Sequence, residues 1–410
     1  MSRSPALSIV IASHNRRAEL LDTLDRIDAL ELPAAERETI VVDNASSDGT
    51  AEALRARPDV RCLPLRTNLG ACAKQLGVKT SRAPVLLFLD DDSSPLPGTL
   101  PRLLARLADD ESLVAAGCTV HLPDGREECS ALPCIFAGCG VGLRTAAVRA
   151  VGGLDTSFFM AAEEYDLAFR LLATQGRVEL FSDLQVEHRK SPAARHPGRT
   201  LGYDARNNLR IVARYLPAAA APTYRDDWLL RYRWLAEAHG HLAEYRRGAA
   251  ISRWQLLRER WAYRRYRLPA DVFERVFAWD YIERRMMRLA ERGVRRVAFA
   301  DLGKNIFAFV RGARSAGLSV RFIADDLFAA EGRTYRGIPI LAFADAARQS
   351  FDAWVVSNTS YVHARQRTRE LAAHGAHPVH AWFTEPGDSH KQSTIFQRSA
   401  RPVPESQFKN

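Results

Sequence analysis

The run Leu86-Leu87-Phe88-Leu89-Asp90-Asp91-Asp92 limits what this chain can fold into more than any other stretch. An apolar strand stops abruptly on three consecutive carboxylates. Like charges packed at one strand end repel each other, so a fold that holds them there needs a compensating partner. A divalent cation is one such partner, because hard cations such as Mg2+ take carboxylate oxygens and bridge to substrate phosphates. A solvated acidic turn, or a helix cap ahead of the Pro-rich segment at Pro95 and Pro97, is the competing account.

The sequence around that strand alternates between two periods. Ser8 to Ser13 reads as a buried strand, and Arg17 to Leu30 places Leu20, Leu21, Leu24 and Ile27 at helical spacing. Thr39 to Asp43 is a second strand, Ser47 to Arg57 a second helix, and Arg61 to Leu65 a short third strand. Cys72 to Thr80 is helical before the strand Val85 to Leu89. Strands and helices alternating at this spacing predict a parallel α/β sheet. Such sheets bind ligands beyond the carboxyl ends of their strands, which is where Asp43 and Asp90 to Asp92 fall.

With 410 residues the chain is too long for one ordinary core, and its 47% hydrophobic and 26% charged fractions are those of a soluble globular protein. No apolar run reaches the roughly 18 residues that span a bilayer. Met1-Ser2-Arg3-Ser4-Pro5 leads into a strand and not into a signal-peptide core, so a cytoplasmic protein is expected. The net charge of +10 suits an anionic partner. Charge is the only feature pointing to nucleic acid, and no nucleic-acid partner is expected. Cysteines stand at 62, 72, 118, 129, 134 and 139 without tight C-x-x-C pairs, so free thiols are expected in preference to a zinc site.

Beyond residue 216 the composition changes. Residues 217–292 are helical in pattern, with Tyr224, Trp228, Tyr232 and Leu235 at helical spacing, and likewise Trp254, Leu257 and Trp261. Between Ala221 and Ala290 stand 15 Arg against 9 acids. A solvated helical subdomain anchored by its aromatics is the first reading. A basic patch making peripheral contact with the inner face of a membrane is the other. Residues 293–385 resume the α/β rhythm, with strands at Val294 to Phe299, Val320 to Ala324 and Trp354 to Ser357, as a small Rossmann-like unit. Only Gly303 remains of a G-x-G-x-x-G fingerprint, although Asp325 stands where a ribose-binding acid would. The unit is read as a degenerate nucleotide fold serving structure, acceptor binding or homodimer formation. Residues 386–410 are polar, without apolar period, and expected to be disordered.

Four elements of the first 216 residues belong together. They are Ser8 to Arg16; Ile40-Val41-Val42-Asp43 with its following polar turn; Asn68-Leu69-Gly70 with the acidic triplet after it; and Glu163-Glu164-Tyr165-Asp166-Leu167 after a Gly-rich loop. In that order and spacing they resemble the family 2 glycosyltransferases of GT-A fold. The resemblance implies that Ser13, Asn15, Arg16 and Asp43, with Asn68 and Gly70, surround the nucleotide of a sugar donor. Asp90 and Asp92 correspond to its D-x-D metal motif, with Asp91 turned toward the ribose or into the sheet. The family's E-D-x-D-L segment carries the general base. Here Glu164 stands in the Asp position beside Glu163. Helix N-terminal acids meeting the macrodipole are the structural alternative for both. A histidine near the metal or diphosphate corresponds to His188. Arg206, in Arg206-Asn207, corresponds to a phosphate contact or a helix cap. Gly138, in Phe136 to Gly142, corresponds to the pocket for donor sugar and acceptor. Lys190, Arg195 and Arg199 are diphosphate candidates or plain surface charge.

The expected activity is an inverting transfer, dependent on Mn2+ or Mg2+, from a UDP- or dTDP-sugar to an acceptor hydroxyl. The acceptor is a glycan, a lipid-linked precursor or a small molecule. A nucleotide-sugar-binding scaffold without catalysis is the first rival, and an NAD-dependent oxidoreductase working through the C-terminal unit is the second.

Overall fold

The computed structural model describes residues 4–192, 196–375 and 377–386. Arg195 and the expected disordered tail from 387 onward lie outside the described residues. The chain forms two compact units. One runs to Cys129 and resumes over Ile135–Asn207; the other combines Ser130–Cys134 with the chain from Asn208 onward. The helices that follow residue 216 and the C-terminal sheet thus fall in one unit.

The first unit is built on a nine-stranded sheet of β1 Leu7–Ser13, β2 Arg37–Asp43, β3 Val60–Pro64, β4 Val85–Asp90, β5 Ser93–Pro95, β6 Leu113–His121, β7 Glu127–Glu128, β8 Val141–Arg144 and β9 Arg177–His188. The order is β3-β2-β1-β4-β8-β6-β9-β5, with β7 on β6. The first four strands in that order are parallel. They are runs such as Ile9-Val10-Ile11 and Leu86-Leu87-Phe88-Leu89, whose residues are almost fully buried, as sheets covered on both faces require. The helix Lys74–Thr80 packs directly on β1, since a Cβ on Gly77 would lie 2.3 Å from Val10. The segment before it, Gly70–Ala73, is a 3-10 turn and not the first turn of that helix.

Register decides where the chemistry can sit. Ser13 pairs with Asp43, and Ala12 with Asp90, so the carboxyl ends of β1, β2 and β4 are level. Beyond β4 the sheet turns antiparallel through β8. The short β5, immediately after the acidic triplet, pairs antiparallel with β9, placing Ser93 opposite His188. Residues nearly a hundred positions apart are thereby brought together at one sheet end.

In the second unit the helices Ala221–His239, Leu242–Ala249, Arg253–Ala262, Ala270–Phe277 and Trp279–Glu291 precede a six-stranded sheet. Its strands are β10 Arg296–Ala300, β11 Ser319–Ala324, β12 Thr334–Tyr335, β13 Ile338–Leu341, β14 Ala353–Val356 and β15 Val379–His380, in the order β12-β13-β11-β10-β14-β15. All pairs are parallel except the β12–β13 hairpin, whose turn residues Arg336 and Gly337 both have positive φ. The two aromatic stripes of the helices have opposite fates. Tyr224 and Trp228 are buried, and the Tyr224 hydroxyl accepts Trp279 Nε1 at 2.7 Å and donates to Asn305 Oδ1 at 2.6 Å. Trp254 and Trp261 are 78% and 69% exposed.

All six cysteines are free thiols. Among the described residues no helix is long and apolar enough to cross a membrane.

Candidate active site

A cleft of about 670 Å³ opens at the carboxyl ends of β1 and β4. Its lining includes the β1 turn from Ser13 to Arg16, then Asn44, Asn68, Gly70 and Lys74, and the triplet Asp90 to Asp92. Phe159, Met160, Arg199 and Asp204 also line it. Ser13, Asn15, Arg16, Asn68, Gly70, Asp90, Asp91 and Asp92 are thus brought to one cleft. Asp43, Gly138, Glu163, Glu164, His188 and Arg206 are not among its lining residues.

β4 ends at Asp90 and the chain turns through Asp91 and Asp92 before β5, so the three aspartates meet different surroundings. Asp91 is turned inward: it accepts Ser13 Oγ at 2.8 Å, lies 3.4 Å from Arg16 Nε, and is 5% exposed. Burial pushes its carboxyl up to about 7, and the charges of Asp90 and Asp92 add to that, against the pull of Arg16 and Ser13. Asp92 Oδ2 accepts Arg16 at 2.6 Å and the Ser191 amide at 3.0 Å, while its Oδ1 lies 3.2 Å from His188 Nε2. Burial works against ionisation there, but His188 and Arg16 hold the carboxyl far below the usual range. Asp90 keeps a partly exposed side chain and accepts Lys74 Nζ at 2.7 Å. Desolvation raises its pKa, and Lys74 and His188 more than reverse that.

Asp90, Asp92 and His188 each offer a ligand atom within 4.8 Å of the others, the one such metal-competent grouping among the described residues. Carboxylate and imidazole are both ligand types that divalent cations take in proteins. The donor set therefore fits a divalent cation, and Arg16 and Lys74 already bond its two carboxylates, Asp92 and Asp90.

Lys74 is a residue that the motifs do not disclose. It is 3% exposed and donates both to Asp90 and, at 2.9 Å, to the Gly138 carbonyl. Its signal in the sequence is a lysine on the buried face of the helix that also carries Gly77 and Val78. Gly138 thus meets the site through its carbonyl, and a Cβ there would lie 3.9 Å from Glu163 Oε1. Asn44 is the second such residue. Its amide donates to Asn68 Oδ1 and to the Gly70 carbonyl, both at 2.9 Å, and its Oδ1 accepts the Leu69 amide at 2.7 Å. Asp43, 3% exposed, accepts the Ser46 amide at 3.1 Å and shapes the turn after β2. Asn15 accepts the Ser47 amide at 2.7 Å, joining the β1 and β2 turns.

Glu163 and Glu164 open the helix Glu163–Ala173. The segment before them is strained: Phe159, Ala161 and Ala162 all have positive φ, and the Met160 amide reaches the Phe158 carbonyl at 2.9 Å in a tight turn about Phe159. Such strain persists only where neighbours over-determine it. Here the neighbour is Asn207, fully buried, whose amide donates to the carbonyls of Phe158, Met160 and Ala161. Arg206 donates to the Ser157 and Phe158 carbonyls and stacks on Tyr203. Gly70 joins the arrangement, because at φ +63 a Cβ would lie 2.1 Å from the Phe159 carbonyl oxygen. Glu163 Oε2 is buried without a hydrogen-bond partner among the described residues. Burial, and then the charge of Glu164, raises the Glu163 pKa well above the carboxylate range.

Lys190 pairs with Glu128 and does not line the cleft, whereas Arg199 lines it and stacks over Phe159 at 4.7 Å.

Residues 8–134 match the sequence model of the family described as "Glycosyl transferase family 2". An uncharacterized glycosyltransferase of Haemophilus influenzae is 27% identical over 184 residues, covering 40% of this chain and 62% of that protein. An undecaprenyl-phosphate 4-deoxy-4-formamido-L-arabinose transferase of Pseudomonas aeruginosa is 35% identical over 118 residues, 27% of this chain and 34% of that one. The chain thus spans less than two thirds of either relative. A mannosyltransferase from Pyrobaculum calidifontis, solved with GDP-Man and Mn2+, superposes with a TM-score of 0.43 at 19% identity, covering 61% of this chain and 77% of that one. Residues 8–134, which fall in the first unit of this chain, are thus similar to the glycosyl transferase family 2.

Proposed function

We propose that the first unit transfers a sugar, with inversion, from a nucleotide diphosphate to an acceptor hydroxyl. The observation that carries this reading is the grouping of Asp90, Asp92 and His188 at a cleft walled by the β1 turn and Asn68-Leu69-Gly70. A divalent cation held by those three side chains, Mn2+ or Mg2+, would neutralise the charge that develops on the diphosphate leaving group. Ser13, Asn15 and Arg16 are proposed to receive the nucleotide, with Asn44 fixing Asn68 and Gly70 beside it. Arg199, at the cleft wall, is proposed as a diphosphate contact. UDP- and dTDP-sugars are the proposed donors, and the acceptor is proposed to be a glycan or a lipid-linked precursor.

Glu164 is the proposed general base, in keeping with the motif. Glu163 is the rival, favoured by its buried unpartnered oxygen. A panel of UDP-, dTDP- and GDP-sugars incubated with Mn2+, with release of nucleoside diphosphate read by mass spectrometry, tests the reading. One donor class is expected to be consumed. The true base, replaced as Glu163→Gln or Glu164→Gln, should lower kcat by about 10²–10⁴-fold with KM for the donor little changed. No release from any donor, with or without lysate glycolipid as acceptor, would contradict the proposal.

A second reading rests on Arg16 and Lys74, which already neutralise Asp92 and Asp90. In it the cleft binds a nucleotide sugar without a metal and without transfer. Nucleotide binding indifferent to EDTA would favour that reading. The oxidoreductase alternative has little support. The loop after β10 closes on the loop after β14, where a Cβ on Gly303 would lie 2.7 Å from the Ser357 carbonyl oxygen. The Asp325 carboxylate accepts the amides of Leu302, Leu327 and Phe328.

A further inference from the structure

We propose that the helix Arg253–Ala262 docks the protein on an anionic phospholipid surface. An amphipathic helix of a globular protein turns its apolar stripe inward. This one also turns an apolar stripe outward. Its inward contacts include ion pairs and hydrogen bonds: Glu259 accepts Arg210 Nε at 2.7 Å and Arg214 Nε at 2.5 Å, and Arg260 reaches the carbonyls of Ala213 and Leu216. None of its residues is buried. Its outward stripe is Trp254, Leu257 and Trp261, spaced i, i+3 and i+7, at 78%, 44% and 69% exposure. Two tryptophans left in water on one helix face are costly unless something covers them.

Charge decides between occupants. Residues 246–265 contain seven arginines, at 246, 247, 253, 258, 260, 264 and 265, and one acid, Glu259, which is engaged with Arg210 and Arg214. Arg253, Arg258, Arg264 and Arg265 are exposed beside the tryptophans, and Arg264 lies 4.5 Å from the Trp261 ring centroid. A second copy of this chain would bring the same arginines face to face. A bilayer bearing anionic headgroups satisfies both features, because tryptophan favours the headgroup level and arginine pairs with lipid phosphate. The capping box at Ser252 and Gln255 fixes the helix start, so the stripe is formed before any surface is met. The proposal stands independently of the transferase reading.

Vesicle flotation of the full chain tests it, with phosphatidylcholine alone and with phosphatidylcholine containing phosphatidylglycerol, at low and high salt. Wild type is expected to float with the anionic vesicles and to lose binding as salt screens the arginines. Brominated lipid should quench part of its tryptophan emission. The Trp254→Ala/Trp261→Ala variant, with an unchanged melting temperature, should bind at least about tenfold more weakly. No flotation with anionic vesicles at low salt would overturn the proposal, as would equal flotation of variant and wild type. A dimer in sedimentation velocity, abolished by the variant without lipid, would overturn it in favour of a self-interface.

Discussion

Three neighbouring aspartates, identical in sequence, differ in their electrostatics. Asp90 and Asp92 are held ionised by Lys74, His188 and Arg16, while burial lifts Asp91 to about 7. A carboxyl raised in the folded protein from about 3.9 in the unfolded chain contributes stability that is complete below pH 4. That contribution is lost as pH rises through about 7. In metal-free protein, urea unfolding at stepped pH should therefore show a decline between pH 4 and 7 that is shallower in Asp91→Asn by about 2–4 kcal/mol. An equal decline in both proteins would contradict this placement of Asp91. The acidic triplet was legible as a cluster because an apolar strand led into it. The division of labour within it was not, because it depends on Arg16 and Ser13 of β1 and on Lys74 of a helix. Asp43 illustrates the same limit: its position after β2 was plain, but its engagement with the Ser46 amide is a property of the turn.

At the scale of elements, the parallel half of the first sheet was readable because β1, β2 and β4 are continuous β-branched or leucine-rich runs. The mixed half, from β8 to β5, was not. β5 is Ser93-Ser94-Pro95, which has no strand propensity of its own and exists through its pairing with β9. That pairing is what brings His188 to Asp92. The helix Glu163–Ala173 shows a motif splitting into two kinds of residue. Its glutamates stand at the N-terminus, whereas Asp166 is fully buried against Arg170, which in turn donates to the Val151 carbonyl. Removing one partner of a buried pair leaves an uncompensated charge, so Asp166→Ala should cost about 3–5 kcal/mol, read as a shift in urea midpoint. A change within experimental error would place the pair outside the folding core.

At the scale of the molecule, composition alone marked a change of character near residue 216, and the contacts divide the chain within the helix Pro197–Tyr215. Two adjacent asparagines stand on either side of that division. Asn207 secures the 158–161 segment, while Asn208 bonds Tyr232 at 3.0 Å and Lys304 at 2.7 Å. No spacing rule distinguishes them. The basic aromatic segment was visible as a composition, but which stripe is core and which is surface needed the fold: Tyr224 and Trp228 fill one, and Trp254 and Trp261 form the other. The central question for the molecule is whether the acidic cleft is a metal-dependent nucleotide site. Calorimetric titration of UDP and dTDP, with and without Mn2+, on wild type and Asp92→Ala addresses that directly. Binding of one nucleotide that requires Mn2+ and vanishes in Asp92→Ala is the predicted result. Binding equal in both proteins and indifferent to the metal, or no binding of either nucleotide, would contradict it.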